Sequence, residues 1–191
     1  MIVGGMCLRC RSGGPKVARR HLGRSRPVAA AATTRAAEMC ERGAVSDRDL
    51  MLEFMRRHRL AVQASSAANG APQAAVVGVA VTDRCELVFD TLRTSRKCQN
   101  LRHDPRIALV LGWDLDEGQT LQLEGLADEP SGADRVRVQA VYLETFADGA
   151  ERADDPAITY FRVRPSWMRL SDFRTNPPTI VELELTWPPT A

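Results

Sequence analysis

Lysine is nearly missing from this sequence: of 26 basic residues 24 are Arg, and Lys stands only at positions 16 and 97. Long hydrophobic runs are missing as well. Charged or small polar residues interrupt every apolar stretch before it reaches eighteen residues, which excludes a membrane-spanning helix and predicts a soluble chain. Cysteine is sparse and odd in number, five in 191 residues at positions 7, 10, 40, 85 and 98, so no disulfide framework is indicated and a reducing compartment is expected. Cys7 and Cys10 form a C-x-x-C, but no second pair or histidine cluster follows at zinc-ligand spacing, and no metal site is expected.

What is present is unevenly distributed. Residues 1–43 hold nine Lys or Arg against two Glu, whereas residues 44–191 hold 17 basic and 22 acidic residues. The first segment is rich in Arg, Ser and Ala, with no acid before Glu38 and no continuous apolar core, which is the composition of an organellar transit peptide rather than a secretory signal. The other reading is a translation start further on, near Met39 or Met51. This leader holds no aromatic residue to stack on bases, and the remainder is net acidic, so nucleic acid is not an expected partner. The fold is sought in residues 44–191 as one domain, a length that buries about 70% of the unfolded surface without staples. Its expected location is the cytoplasm, or an organelle if the leader is a transit peptide.

Ser46 ahead of Asp47, Asp49, Leu50, Met51, Phe54 and Met55 predicts a capped amphipathic helix to about His58. Leu60–Ala67 and the β-branched run Ala74–Thr82, separated by Asn69-Gly70, predict a hairpin with a two-residue turn; Glu86–Thr91 adds a third strand, so a meander is expected. Thr94-Ser95 caps a short helix that Asp104-Pro105 ends. Further strands are expected at Ile107–Leu111, Leu121–Leu123, Ile158–Val163, Trp167–Leu170 and Ile180–Leu185, with a polar turn at Asp114–Gly118 and an amphipathic helix over Ala133–Phe146. Short strands in hairpin succession with a few interposed helices predict a mainly β fold with covering helices (α+β), an antiparallel barrel rather than a parallel α/β sheet. Cys85 and Cys98 read as small buried residues; the alternative for Cys98, at a helix start beside Arg96 and Lys97, is a thiol of lowered pKa.

The most unusual local chemistry is Phe89-Asp90-Thr91-Leu92-Arg93-Thr94-Ser95-Arg96-Lys97, where a strand ends and a helix begins among three cations and three hydroxyls. Free N–H groups at the helix start, hydroxyl donors and guanidinium forks suit a phosphate. The one lysine beyond the leader falls here, in a segment that otherwise uses only Arg. The plain alternative is a solvated, capped helix start with ordinary surface charge.

Leu87-Val88-Phe89-Asp90-Thr91, then Ser95-Arg96-Lys97, Asn100-Leu101-Arg102 and Asp104-Pro105-Arg106-Ile107-Ala108-Leu109-Val110, resemble the signature block of the pyridoxamine 5'-phosphate oxidase-like family, whose members are FMN-binding split barrels. The resemblance runs in order from Leu50 through Arg57-His58-Arg59 and Glu124-Gly125 to Tyr160-Phe161-Arg162-Val163-Arg164-Pro165, most of residues 46–186. It implies an FMN-binding split β-barrel, antiparallel and of Greek-key type. By position it implies that Arg96 and Lys97 hold the FMN phosphate, that Asp90 and Thr91 line the flavin, partly through backbone groups, and that Ser95 caps and donates. Gln119, or Thr120 one residue on, is implied near the isoalloxazine. It further implies a homodimer with the flavin between subunits, to which Trp167 and Arg169 are candidate contributors, Trp167 being equally suited to interface packing.

Two positions depart from the vitamin-B6 oxidases of that family: Ala75 and Ala80 stand where those enzymes carry basic residues, and Arg162-Val163-Arg164-Pro165 replaces their C-terminal substrate-binding element. B6 phosphate is therefore not the expected substrate. Within residues 44–191 the only histidines are His58 and His103, and neither sits in a nucleophile or dyad arrangement, as suits chemistry carried by a flavin. Three readings follow: an FMN-dependent oxidoreductase acting on a small molecule; a non-catalytic binder of flavin, deazaflavin, haem or another tetrapyrrole; and a barrel with an empty cleft.

Overall fold

The computed structural model describes residues 45–114 and 116–188. The leader, with Cys7, Cys10 and Cys40, lies outside the described residues. Helix α1 (Asp47–Arg57) starts where the Ser46 hydroxyl accepts from the Asp49 amide at 3.1 Å, and it buries Met51, Leu52, Phe54 and Met55. Strands β1 (Leu60–Ser66), β2 (Pro72–Gly78), β3 (Ala80–Val81) and β4 (Leu87–Leu92) lead to helix α2 (Arg96–His103). Then come β5 (Arg106–Leu111), β6 (Gln119–Asp128), helix α3 (Gly132–Thr145), a 3-10 turn (Ala147–Arg152), β7 (Ile158–Asp172) and β8 (Thr179–Glu184). All the strands join one antiparallel sheet in the order β2-β1-β5-β6-β7-β4-β3, with β8 on the second half of β7.

The expected meander is corrected by a bend. The run Ala74–Thr82 is two strands broken at Val79: β2 pairs with β1, the Val79 amide still donates to Arg59 at 2.8 Å, and β3 pairs with β4. One continuous segment thus stands at both ends of the strand order, which curls the sheet into a barrel. The bend falls beside Gly78, where a Cβ would sit 3.1 Å from the Phe146 ring. The expected two-residue turn is also corrected. Ala67 donates to Ala71 at 2.9 Å, so the loop is Ala68-Asn69-Gly70, and Gly70 takes the left-handed conformation that such a three-residue loop requires.

The two strands expected at Ile158–Val163 and Trp167–Leu170 are one fifteen-residue strand. It passes a bulge opposite Glu124 and Gly125, where a Cβ on Gly125 would run into the Arg164 carbonyl. The short strand expected at Leu121–Leu123 extends to ten residues on the same alternation, with Leu121, Leu123, Gly125 and Ala127 inward. Inside the curl, Phe54, Leu87, Phe89, Leu109, Leu123, Phe161 and Met168 form the main core, with Phe89 and Phe161 stacked 5.5 Å apart. Outside it, α3 covers Ala80, Val88, Ile158 and Tyr160 with Val138 and Tyr142. Cys85 and Cys98 are buried, and burial pushes both thiols up, so the reading of Cys98 as a thiol of lowered pKa is overturned.

Candidate functional site: a cationic groove at the start of α2

Strand β4 alternates Leu87, Phe89 and Thr91 inward with Val88 and Asp90 outward. This parity separates two neighbours that sequence reasoning had grouped. Thr91 turns to the helix start: its hydroxyl is 3.0 Å from Ser95 Oγ, and Lys97 Nζ donates to it at 3.3 Å. Ser95 caps α2 by accepting from the Cys98 amide at 3.3 Å. The Asp90 carboxylate faces the other way, accepting from Tyr142 Oη at 2.8 Å and from Arg152 at 3.3 Å. Burial and this carboxylate together push the Tyr142 hydroxyl up.

Arg96 and Lys97 open onto a groove of about 580 Å³ whose walls include Gln63, Gln73 and Ala75. No carboxylate lines it, and neither cation carries an ion pair among the described residues. Nearby arginines differ: Arg102 meets Glu129 at 2.6 Å and Arg106 meets Asp104 at 2.6 Å. The Gln73 amide lies between Asn100 and Arg96, and with its oxygen toward the guanidinium it accepts from Arg96 Nε at 2.9 Å.

Sequence reasoning missed Gln63. It sits opposite Ala75 on β2 and Leu109 on β5, is 1% exposed, and its Oε1 has no hydrogen-bond donor among the described residues. A buried acceptor left without a donor is costly, which marks it as a place for a ligand N–H. The signal was available: Ala61, Gln63 and Ser65 form the inward set of β1, and a glutamine in mid-set is a polar residue at a core position.

Gln119 is not brought to the groove in this chain. It begins β6, where its Nε2 donates to Asp172 at 2.9 Å, while α2 adjoins the opposite end of β6 through Pro105 and Ala127. Asp172 itself is held well below the usual carboxylate range by Arg174. Ala75 lines the groove, whereas Ala80 is buried under α3 beside Val88. Arg162 is buried between Asp128 and Asp134, at 2.7 Å from each; burial opposes its charge, but the two carboxylates hold its pKa above the ordinary value. Trp167 and Arg169 lie on the outer face, opposite Glu124 and Gln122 of β6.

A curled antiparallel sheet with a hydroxyl-capped, cation-bearing helix start at its rim defines a split-barrel fold. The chain belongs to the pyridoxamine 5'-phosphate oxidase family, whose family model matches residues 48–172. A heme-binding protein from Mycobacterium smegmatis superposes with a TM-score of 0.66 at 17% identity, over 74% of this chain and 59% of that one. The present chain thus spans less than two thirds of that protein's length. HutZ, the heme storage protein of Vibrio cholerae, gives 0.54 at 16% identity over 62% of this chain and 89% of its own. A NimC/NimA family protein from Clostridium acetobutylicum gives 0.57 at 16% over 72% and 94%. At such identities the likeness is one of fold. No curated protein matches the sequence at a significant level.

Proposed function

We propose that this protein binds FMN, or a related flavin, in the groove at the start of α2 and acts as a flavin-dependent oxidoreductase on a small molecule. The observation that carries the reading is the conjunction of two unpaired cations, Arg96 and Lys97, with the donorless Gln63 Oε1 in one carboxylate-free groove. A flavin phosphate meets the cations and hydroxyls, and the imide N–H of its ring system is a donor of the kind Gln63 lacks. The bound flavin would supply hydride chemistry, and the protein's part is binding, orientation and exclusion of water. Lys97 contributes a point charge that Thr91 orients, Ser95 a hydroxyl at the helix start, and Arg96 a fork held by Gln73.

Deazaflavin would satisfy the same groups. A haem or tetrapyrrole binder without turnover is the second reading, favoured by the fold shared with the M. smegmatis and V. cholerae proteins. Against it, the groove lining offers Gln, Ala, Pro, Arg and Lys, and the His103 imidazole of α2 lies outside that lining. B6 phosphate is a poor substrate candidate because Ala75 and Ala80 bring no charge and Arg162 is already committed to Asp128 and Asp134.

The protein is proposed to act as a homodimer with the flavin near the subunit interface. The outward rows Val76, Val62, Val110 and Ala74, Ala64, Ala108 run across β2, β1 and β5 as an uncovered apolar face, with Val76 59% exposed. A cytoplasmic location is proposed on the reduced cysteines of the described residues, with an organelle as the alternative if the leader is cleaved.

The test is a titration of the full chain with FMN, followed by visible absorbance and flavin fluorescence. Losing one charge-assisted contact in Lys97→Ala or Arg96→Ala should weaken binding by about tenfold to a hundredfold. A chain that binds no FMN, or variants that bind it as well as the parent, would overturn the proposal.

A further inference from the structure

The groove does not end at Arg96. A second recess of about 380 Å³ lies between the Ala68-Asn69-Gly70 loop and the exposed side of α2, and it shares Ala71, Gln73 and Arg96 with the groove. The Gln73–Arg96 contact is thus a partition between two spaces, and the guanidinium is reachable from both. Other cavities on the described surface are lined by carboxylates: Glu86 and Asp134, Asp104 and Glu124, Asp114 and Glu117. The recess and the groove have none.

Besides Arg96, polar side chains wall the recess. Asn69 Oδ1 accepts from the Ala71 amide at 3.1 Å, which leaves its NH2 group to face outward. Gln99 and His103 stand one helical turn apart on the exposed side of α2; the Gln99 amide donates one hydrogen bond to the Thr94 carbonyl at 3.3 Å, and the His103 ring has no hydrogen bond among the described residues. A terminal phosphate would fill the groove side of Arg96 and leave the Asn69 amide and the His103 ring to water. A phosphate that continues through a diphosphate link would put its second phosphate and nucleoside beyond Arg96, into a space already rid of negative charge.

We infer that the ligand's phosphate is an inner one, bridged at Arg96 and Lys97, with a polar extension in the recess lined by Asn69, Gln99 and His103. The fitting class is a flavin dinucleotide, whose tail is carried on a diphosphate link, in preference to a mononucleotide. This rests on the flavin reading of the same groove.

The experiment compares FMN and FAD as titrants of the full chain by flavin fluorescence, for the parent, His103→Ala and Gln99→Ala. Both substituted side chains are exposed, so the variants keep the fold. FAD is expected to bind about tenfold more tightly than FMN, a step of about 1.4 kcal/mol, and each variant to lose most of that preference with FMN affinity unchanged. FAD binding no tighter than FMN, or variants that weaken both alike, would overturn the inference and leave the flavin site standing. Failure of both flavins to bind would overturn the site and the inference together.

Discussion

Glu86 accepts two hydrogen bonds from Arg137, at 2.7 and 3.2 Å, with its own side chain 3% exposed. The pair ties the approach to β4 to the first half of α3, and Arg162 stands 3.6 Å away on the same carboxylate. Removing one member leaves a buried charge short of its partner. Arg137→Ala is expected to lower unfolding free energy by about 3 kcal/mol, at the lower end for such a break because Arg162 remains. Urea denaturation of the variant measures it.

The same carboxylate sets an acid limit on the fold. Burial works against ionised Glu86, but Arg137, Thr82 and Arg162 outweigh it and hold the group below its ordinary value near 4.5. Glu129 is shifted the same way, chiefly by Arg102. The unfolded chain therefore takes up protons first as pH falls. Stability from these groups is full above about pH 4.5 and is lost as pH drops through their folded-state values. Thermal unfolding from pH 7 to 3 should show a flat stretch and then a decline, with a shallower decline in Glu86→Gln.

Thr91→Val keeps the shape of a buried residue and removes the hydroxyl that meets Ser95 and Lys97. With Lys97 no longer oriented, FMN affinity should fall about threefold to tenfold, the worth of one ordinary hydrogen bond. Equal affinity in the variant would show that Lys97 acts without this hydroxyl.

Gly125→Ala puts a methyl group against the Arg164 carbonyl, where backbone rather than a flexible side chain must give way. Destabilisation of about 1–3 kcal/mol or more is expected. An unchanged melting temperature would mean that the β6–β7 bulge relaxes freely.

Val110→Asp places a charge in the middle of the apolar rows on β1, β2 and β5. Analytical ultracentrifugation should find a dimer for the parent chain and a monomer for the variant. A monomeric parent would remove the homodimer from the proposed function.

The elements were legible because local rules decided them. Ser46 and Ser95 cap the helices that their sequence context predicts, and Asp104-Pro105 ends α2 as expected. The bend at Val79 was not legible, since the valines at 76, 77, 79 and 81 read as one strand and the sequence does not show the distant Phe146 ring against Gly78. The two strands expected at Ile158–Val163 and Trp167–Leu170 are joined because a bulge accommodates the residues between them. The cationic part of the site was readable because cap, hydroxyls and lysine are contiguous. Gln63 was legible as a polar residue in the inward set of β1, but its orphaned state was not, because that depends on neighbours that β2 and β5 bring from elsewhere in the chain.

Lys97 has a practical corollary. Residues 44–191 contain a single side-chain amine, and it opens onto the groove. Within residues 44–191 an acylating reagent applied to the folded protein therefore reports on one position, and the mass of one proteolytic peptide records whether that amine was free or covered. The scarcity of lysine makes the binding site its own reporter.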